Sequence, residues 1–341
     1  MGSTAGATSF ASPTHFKIVA LETFFTELPE LSVPAPHTFS LVEYNRTKID
    51  EIPSRIKDAD ILIITTIPLR AEVLSKEVSP NLKLVAAVAS GTDSIDLGAC
   101  TSRGIRVLSS PNCNVDAVAE HAVALYFATR RTIVPTMRDL RAGEWPLRGT
   151  LMKSAYAAGQ PPRGCTEEIV TVVGHGGVGK KVSKMLGALG MKVIIAARKG
   201  APATEGRVPF EEALAMASVV VLCCPRSPET LNLLAGPEFE KMRKDAVLVN
   251  VARGGIVDEQ ALLTALKEGQ IAGAAVDVFG TEPAGPETSP LLGEEAEGLN
   301  LVVTPHTAWI GGMTTANYQR VLQENIDGFI LGQVPQDRIK A

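Results

Sequence analysis

With 341 residues and 45% hydrophobic content, the chain is long enough to bury two sizeable cores, which excludes disorder of the whole. Its formal charge is -4 and its basic residues are scattered, so no basic stripe marks a nucleic-acid binder and no polybasic run marks a membrane anchor. Apolar runs such as Val219 to Cys224 are far too short to span a bilayer, and five cysteines without paired CxxC spacing point to neither a disulfide framework nor a metal site.

Residues 1–15 are rich in Ser, Thr, Ala and Gly and lack an apolar core of the signal-peptide kind, so the expectation is a flexible tail on a cytoplasmic protein. From Lys17 onward short apolar strands alternate with connecting segments: Lys17 to Leu21, Ala59 to Thr65, Leu82 to Val88 and Arg106 to Leu108. That alternation predicts an α/β layer around a parallel sheet. A helix is expected from Val115 to Arg131, after which Pro135, Gly143, Pro146, Gly149 and the Pro161-Pro162 pair read as loops at a domain crossing.

Ile169 to Val173 is a β-branched run suited to a buried strand, and it leads into Gly174-His-Gly-Gly-Val-Gly179. Gly174, Gly176 and Gly179 would supply a tight turn, close approach to a pyrophosphate and close helix-to-strand packing. Gly177 and Val178 open the following helix, whose N-terminal amides would face the phosphates. Val178, Val182, Met185, Leu186 and Leu189 have helical spacing, and Gly190 is placed to stop the helix. A strand from Lys192 to Ala197 completes a βαβ unit. About eighteen residues beyond Gly179, where an acid would bind a ribose 2'-hydroxyl, the chain has Arg198 and Lys199. A carboxylate there would repel a 2'-phosphate and a guanidinium would grip it, so NADP(H) is expected over NAD(H). A solvated strand end is the plain alternative for these two residues.

Further strands are expected at Val219 to Cys224, Ala246 to Val251, Gly273 to Val278 and Leu301 to Thr304, with a last helix from Thr314 to Leu331 after a Gly311-Gly312 bend. Cys223 and Cys224 read as small apolar filling at a strand end. Three segments place ionisable groups just past short apolar strands: Asn250 to Asp258, Ala275 to Pro283 and Thr304 to Trp309. In an open parallel sheet that is the ligand crevice, where Arg253, Asp277, Glu282 and His306 could converge. Taken singly, each also fits a surface ion pair, a turn cap or a capped turn histidine.

With Ala89-Ser-Gly-Thr-Asp-Ser-Ile-Asp96, Val118-Ala-Glu-His121 and Pro225-Arg-Ser-Pro-Glu-Thr230, these segments resemble the D-isomer-specific 2-hydroxyacid dehydrogenase family over about residues 55–331, most closely its glyoxylate and hydroxypyruvate reductase branch. The resemblance implies two Rossmann-like domains with doubly wound parallel sheets and a cleft between them. Residues 16–112 and 308–341 would form a flavodoxin-like substrate-binding domain and residues 113–307 the dinucleotide-binding domain, with the helix at 115 and the broken loop pairing two subunits as a homodimer. It implies a 2-oxo acid reduced to the D-2-hydroxy acid by NADPH. Arg253 would bind the substrate carboxylate, His306 would protonate the ketone oxygen, and Glu282 would orient the imidazole and favour its protonated form. Ala89, Ser90 and Gly91 would contact substrate, Asp277 would fix the nicotinamide amide, and Cys224, Pro225, Thr230, Val251 and Ala252 would line the cofactor. Trp309 would wall the substrate pocket or pack in the core.

The chain departs from the family's usual pattern at His175, where Leu or Phe is common, at Gly177, often Arg, in the Pro111-Asn-Cys-Asn-Val115 loop, and in the acidic Thr166-Glu-Glu-Ile169. A reading from a different class is a dinucleotide-sensing, corepressor-like scaffold that keeps the fold and works through protein contacts.

Overall fold

The computed structural model describes residue 10 and residues 12–156, 159–202 and 204–341. In chain order its elements begin with β1 (His15–Ala20), β2 (Thr38–Glu43), α1 (Ile52–Ile56), β3 (Ile61–Ile64), β4 (Leu84–Ala87), α2 (Leu97–Arg103) and β5 (Arg106–Leu108). Next come α3 (Val115–Arg130), α4 (Ile133–Arg141), α5 (Glu144–Arg148), β6 (Ile169–Val173), α6 (Gly177–Ala188), β7 (Lys192–Ile195), α7 (Phe210–Met216) and β8 (Val219–Leu222). The chain closes with α8 (Gly236–Lys241), β9 (Val247–Asn250), α9 (Glu259–Lys267), β10 (Gly273–Val276), β11 (Leu301–Val303) and α10 (Thr314–Leu331). It divides into two units, Met1–Asn114 with Gly311–Ala341, and Val115–Ile310.

The first unit holds a parallel sheet of order β2-β1-β3-β4-β5. Successive strand side chains point to opposite faces, and both faces here are covered. Ile61 and Ile63 join Tyr318, Leu322 and Phe329 of α10 on one face, while Leu62 and Ile64 join Ile52, Ile56 and Cys100 on the other. That two-sided burial is why β3 reads as an unbroken apolar run. β2 escaped the sequence reading because it is an edge strand whose polar residues alternate outward. α2 was also missed, although Asp96 caps it by accepting the Ala99 amide at 2.8 Å and Gly104 ends it at a φ of 67°.

Most of the tail expected over 1–15 lies outside the described residues. Where it is described, the expectation fails at Phe10 and at His15: the Phe10 ring packs edge-on against Phe16 and Phe329, and β1 already begins at His15.

In the second unit the parallel sheet has the order β11-β10-β9-β8-β6-β7. Val208 adds an isolated parallel bridge to Ala196 beyond β7, so a residual outer strand completes the dinucleotide-binding order, which reverses between β6 and β8. Val170 and Val172 face α3 and α6 through Val118, Ala122, Val182 and Leu186, while Val173 faces Phe210, Leu214 and Leu222.

One expectation is corrected in this unit. The segment from Pro135 to Gly149 is not loop but α4 and α5; Pro135 sits in the first turn of α4, where its missing N–H costs little, and Gly143 and Gly149 bound α5 at φ 76° and 70°. The acidic lead-in to β6 is also explained. Glu168 is buried and accepts Arg130 Nε at 2.6 Å, Tyr126 OH at 3.1 Å and the Ser218 hydroxyl, tying the end of α3 to the starts of β6 and β8. No helix among the described residues is long and apolar enough to cross a membrane.

Candidate active site

The glycine turn after β6 is set by close contacts. Gly174 has a φ of 92°, and a Cβ there would lie 2.6 Å from the Cys224 backbone; one on Gly179 would lie 2.1 Å from the Gly174 carbonyl oxygen. Only glycine meets both constraints, so helix and strand ends pack backbone to backbone. Gly176, by contrast, has open space where its Cβ would be, and as N-cap of α6 it offers no side-chain acceptor. The first amides of α6, from Gly177 and Val178 on, are thus left without a side-chain cap at a positive helix end, an arrangement that fits a dinucleotide pyrophosphate.

Along the next strand end, Cys224 is half-buried, and burial pushes its thiol up to about 11, so it serves as apolar wall and not as nucleophile. Thr230 differs from expectation: its hydroxyl donates to the Pro225 carbonyl at 2.9 Å and accepts the Ser227 amide at 2.7 Å, so it closes its own turn before it can serve a ligand. Val251 and Ala252 are buried past β9, where Asn250 Oδ1 accepts the Ala252 amide at 3.1 Å. Arg253 follows; its Nη1 donates to the Ala252 carbonyl at 2.8 Å. The chain can turn there because Gly254 lies against the Phe279 carbonyl, where a Cβ would approach to 1.6 Å.

Glu282 Oε2 and His306 Nδ1 are 2.6 Å apart, and Glu282 Oε1 accepts the Phe279 amide at 2.8 Å. Burial works to raise the Glu282 carboxyl, but the His306 hydrogen bond, the Phe279 amide and the His306 and Arg253 charges outweigh it and hold the group below its ordinary value. The sequence-predicted Arg253, Glu282 and His306 are thereby brought into one electrostatic group within the second unit.

Asp277 is 1% exposed, and its first task differs from the nicotinamide contact expected of it. Its carboxylate accepts the Thr304 hydroxyl at 2.6 Å, the Thr307 amide at 2.9 Å and the Ala308 amide at 3.0 Å, which fastens the His306 turn. Because Thr304 spends its proton on Asp277, His121 Nε2, 3.0 Å from the Thr304 oxygen, must be the donor in that contact. His121 and Thr304 were not assigned roles from sequence; only the Val118-Ala-Glu-His121 segment hinted at the former.

At the end of β7, Arg198 and Lys199 part company. Lys199 Nζ pairs with Glu238 at 2.9 Å and donates to the Leu233 carbonyl at 3.3 Å, which turns it toward protein partners. Arg198 is exposed, and its charge reaches the Glu229 carboxylate. In the first unit, Ala89, Ser90 and Gly91 follow the carboxyl end of β4, with Ser90 Oγ donating to the Ser110 carbonyl at 3.3 Å. The unusual Pro111–Val115 loop is structural there: Cys113 fills the core and its carbonyl accepts Asn317 Nδ2 at 3.1 Å. Trp309 packs partly buried against the cluster of α3 and β6, so core packing is its observed job.

Comparison with known proteins gives a consistent picture. The sequence profile of the D-isomer specific 2-hydroxyacid dehydrogenase NAD binding domain matches residues 123–308. Glycerate dehydrogenase of Methylorubrum extorquens is 37% identical over 306 residues, covering 90% of this chain and 93% of its own length. Glyoxylate reductase of Pyrococcus horikoshii is 33% identical over 290 residues, covering 82% of this chain and 83% of its own. Among solved structures, the NADPH-dependent glyoxylate/hydroxypyruvate reductase of Sinorhizobium meliloti, in complex with citrate, superposes with a TM-score of 0.72 at 25% identity, covering 93% of this chain and 95% of that one.

Proposed function

The chain belongs to the D-isomer-specific 2-hydroxyacid dehydrogenase family, and on that premise we propose that it reduces glyoxylate, hydroxypyruvate or a bulkier 2-oxo acid to the D-2-hydroxy acid with NADPH in preference to NADH. The observation that supports the reaction most directly is the Glu282–His306 pair at 2.6 Å with the Arg253 charge acting on the same carboxylate.

When bound, the reduced dinucleotide supplies the hydride. Gly174, Gly176, Gly177, Val178 and Gly179 would hold its pyrophosphate, with Cys224, Pro225, Val251 and Ala252 along its length. Arg253 offers a planar fork to the substrate carboxylate and polarises the ketone. Glu282, ionised, accepts the Nδ1–H of His306, which leaves Nε2 as the nitrogen that holds a proton and gives it to the ketone oxygen. Asp277 keeps that imidazole in place through the turn it fastens. Ala89, Ser90 and Gly91 are assigned to substrate contact in the first unit. A homodimer is proposed as the working form, with the exposed apolar residues of α4 and α5 covered by a second copy.

The deciding experiment is initial-rate oxidation of NADPH and of NADH against glyoxylate, hydroxypyruvate, pyruvate, 2-oxoisocaproate and phenylpyruvate. Turnover with NADPH well above NADH is expected, and the substrate ranking sizes the pocket. Silence with all five, together with tight cofactor binding, would transfer the assignment to a dinucleotide-sensing scaffold.

A further inference from the structure

We propose that the 2'-phosphate of the dinucleotide is held at the end of β7 by Arg198 together with Arg207 and His175, and that Lys199, although next to Arg198 in sequence, takes no part. The inference rests on the NADPH reading above and adds the residues that would carry it.

The residual outer strand is what brings Arg207 to the site. Val208 donates its amide to the Ile195 carbonyl at 2.9 Å and accepts the Ala197 amide at 2.7 Å, so the residue before it lies alongside the end of β7. Arg207 Nη1 then donates to the Ala196 carbonyl at 3.2 Å, which anchors the guanidinium and uses one of its five N–H donors. His175 follows Gly174 just past the end of β6, the strand that pairs with β7. The imidazole is half-buried and held below its ordinary value first by burial and then by the Arg207 and Lys180 charges, which places the Arg207 guanidinium within electrostatic reach of it.

Charge supports the assignment. The Arg207 and Lys180 charges act on the His175 imidazole near the positive end of α6, Arg198 directly follows the β7 segment that Arg207 is anchored to, and a dianionic phosphate there would offset these charges and accept an N–H from each fork and from the ring. Lys199 is withdrawn to Glu238. Glu229, held by Ser227 Oγ at 2.6 Å, shares Arg198, so a second guanidinium is needed for a strong preference.

The test measures calorimetric binding of 2',5'-ADP and 5'-AMP to the full-length protein, which isolates the 2'-phosphate from turnover. Wild type is expected to bind 2',5'-ADP on the order of a hundredfold more tightly than 5'-AMP. Arg207→Ala should lower that ratio about tenfold and His175→Leu a few-fold, with 5'-AMP affinity unchanged, while Lys199→Ala keeps the wild-type ratio. Arg207→Lys, which retains the charge without the fork, should fall between wild type and Arg207→Ala. Ratios unchanged in both Arg207 variants and in His175→Leu, with discrimination lost in Arg198→Ala, would overturn this assignment and leave the NADPH reading standing. A wild-type ratio near one would remove the NADPH reading itself, and this inference with it.

Discussion

His306 sits in the left-handed region at a φ of 51°, a conformation that histidine tolerates but that must be held in place. Asp277 is the clamp: its backbone carbonyl accepts the His306 amide at 2.7 Å and its carboxylate takes the next two amides. Two substitutions separate chemistry from support. His306→Ala removes the proton donor alone, so NADPH binding measured by fluorescence titration should stay nearly intact while kcat falls by about 10²–10⁴-fold; unchanged turnover would remove the proposed acid. Asp277→Ala strips three hydrogen bonds from a buried position, so it should lower stability by roughly 3 kcal/mol in chemical denaturation as well as reduce kcat. The grouping of Arg253, Glu282 and His306 was legible in sequence because each is an ionisable group just past a short apolar strand. The Lys199–Glu238 pair and the position of Arg207 were not, because one depends on a partner far along the chain and the other on a bridge at Val208 that leaves no periodic signal.

The elements most readily read from sequence are the buried parallel strands, whose apolar runs reflect coverage on both faces, and the long α3 and α10. The stretch from Pro135 to Gly149 misled because Pro and Gly punctuate chains in general, yet here they start, separate and end two short helices. Those helices carry exposed Ile133, Val134, Met137, Leu140, Trp145 and Leu147, the last 80% exposed, a run of apolar surface that a single soluble copy gains nothing by showing. If a second copy covers it, Leu147→Glu combined with Leu140→Asp places charges in an apolar interface and should convert the dimer to monomer in sedimentation equilibrium. A wild-type monomer, or a double variant still dimeric, would point these helices at a different partner.

At the scale of the whole molecule, each unit carries its own acid-sensitive tether. In the second, Asp245 joins Arg163 and Arg243 at 2.6 and 2.8 Å, while Arg130 Nη1 donates to its carbonyl at 2.8 Å. In the first, Glu324 pairs with Arg338 at 2.5 Å, which holds the C-terminal segment where Ile339 bridges Leu108 and covers the free edge of β5. Burial opposes ionisation of Glu324, but the Arg338 and Arg320 contacts hold it below its ordinary value. The Arg243 hydrogen bond, working against burial and assisted by Arg163, lowers the Asp245 carboxyl from 3.8 to about 2. A carboxyl depressed in the folded state binds its proton more weakly there than in the unfolded chain, so the stability it contributes is complete above 3.8 and disappears as the pH falls through about 2. For Asp245 that contribution is about 2 kcal/mol. Urea unfolding followed from neutral pH down to pH 2 should therefore show stability falling below pH 4, and Asp245→Asn should flatten the fall by about 2 kcal/mol while lowering stability at neutral pH by a similar amount. Parallel curves for variant and wild type would mean that the arginines find no more in the folded Asp245 than in the unfolded one, and would shift the acid sensitivity onto Glu324 and the covered edge of the first unit.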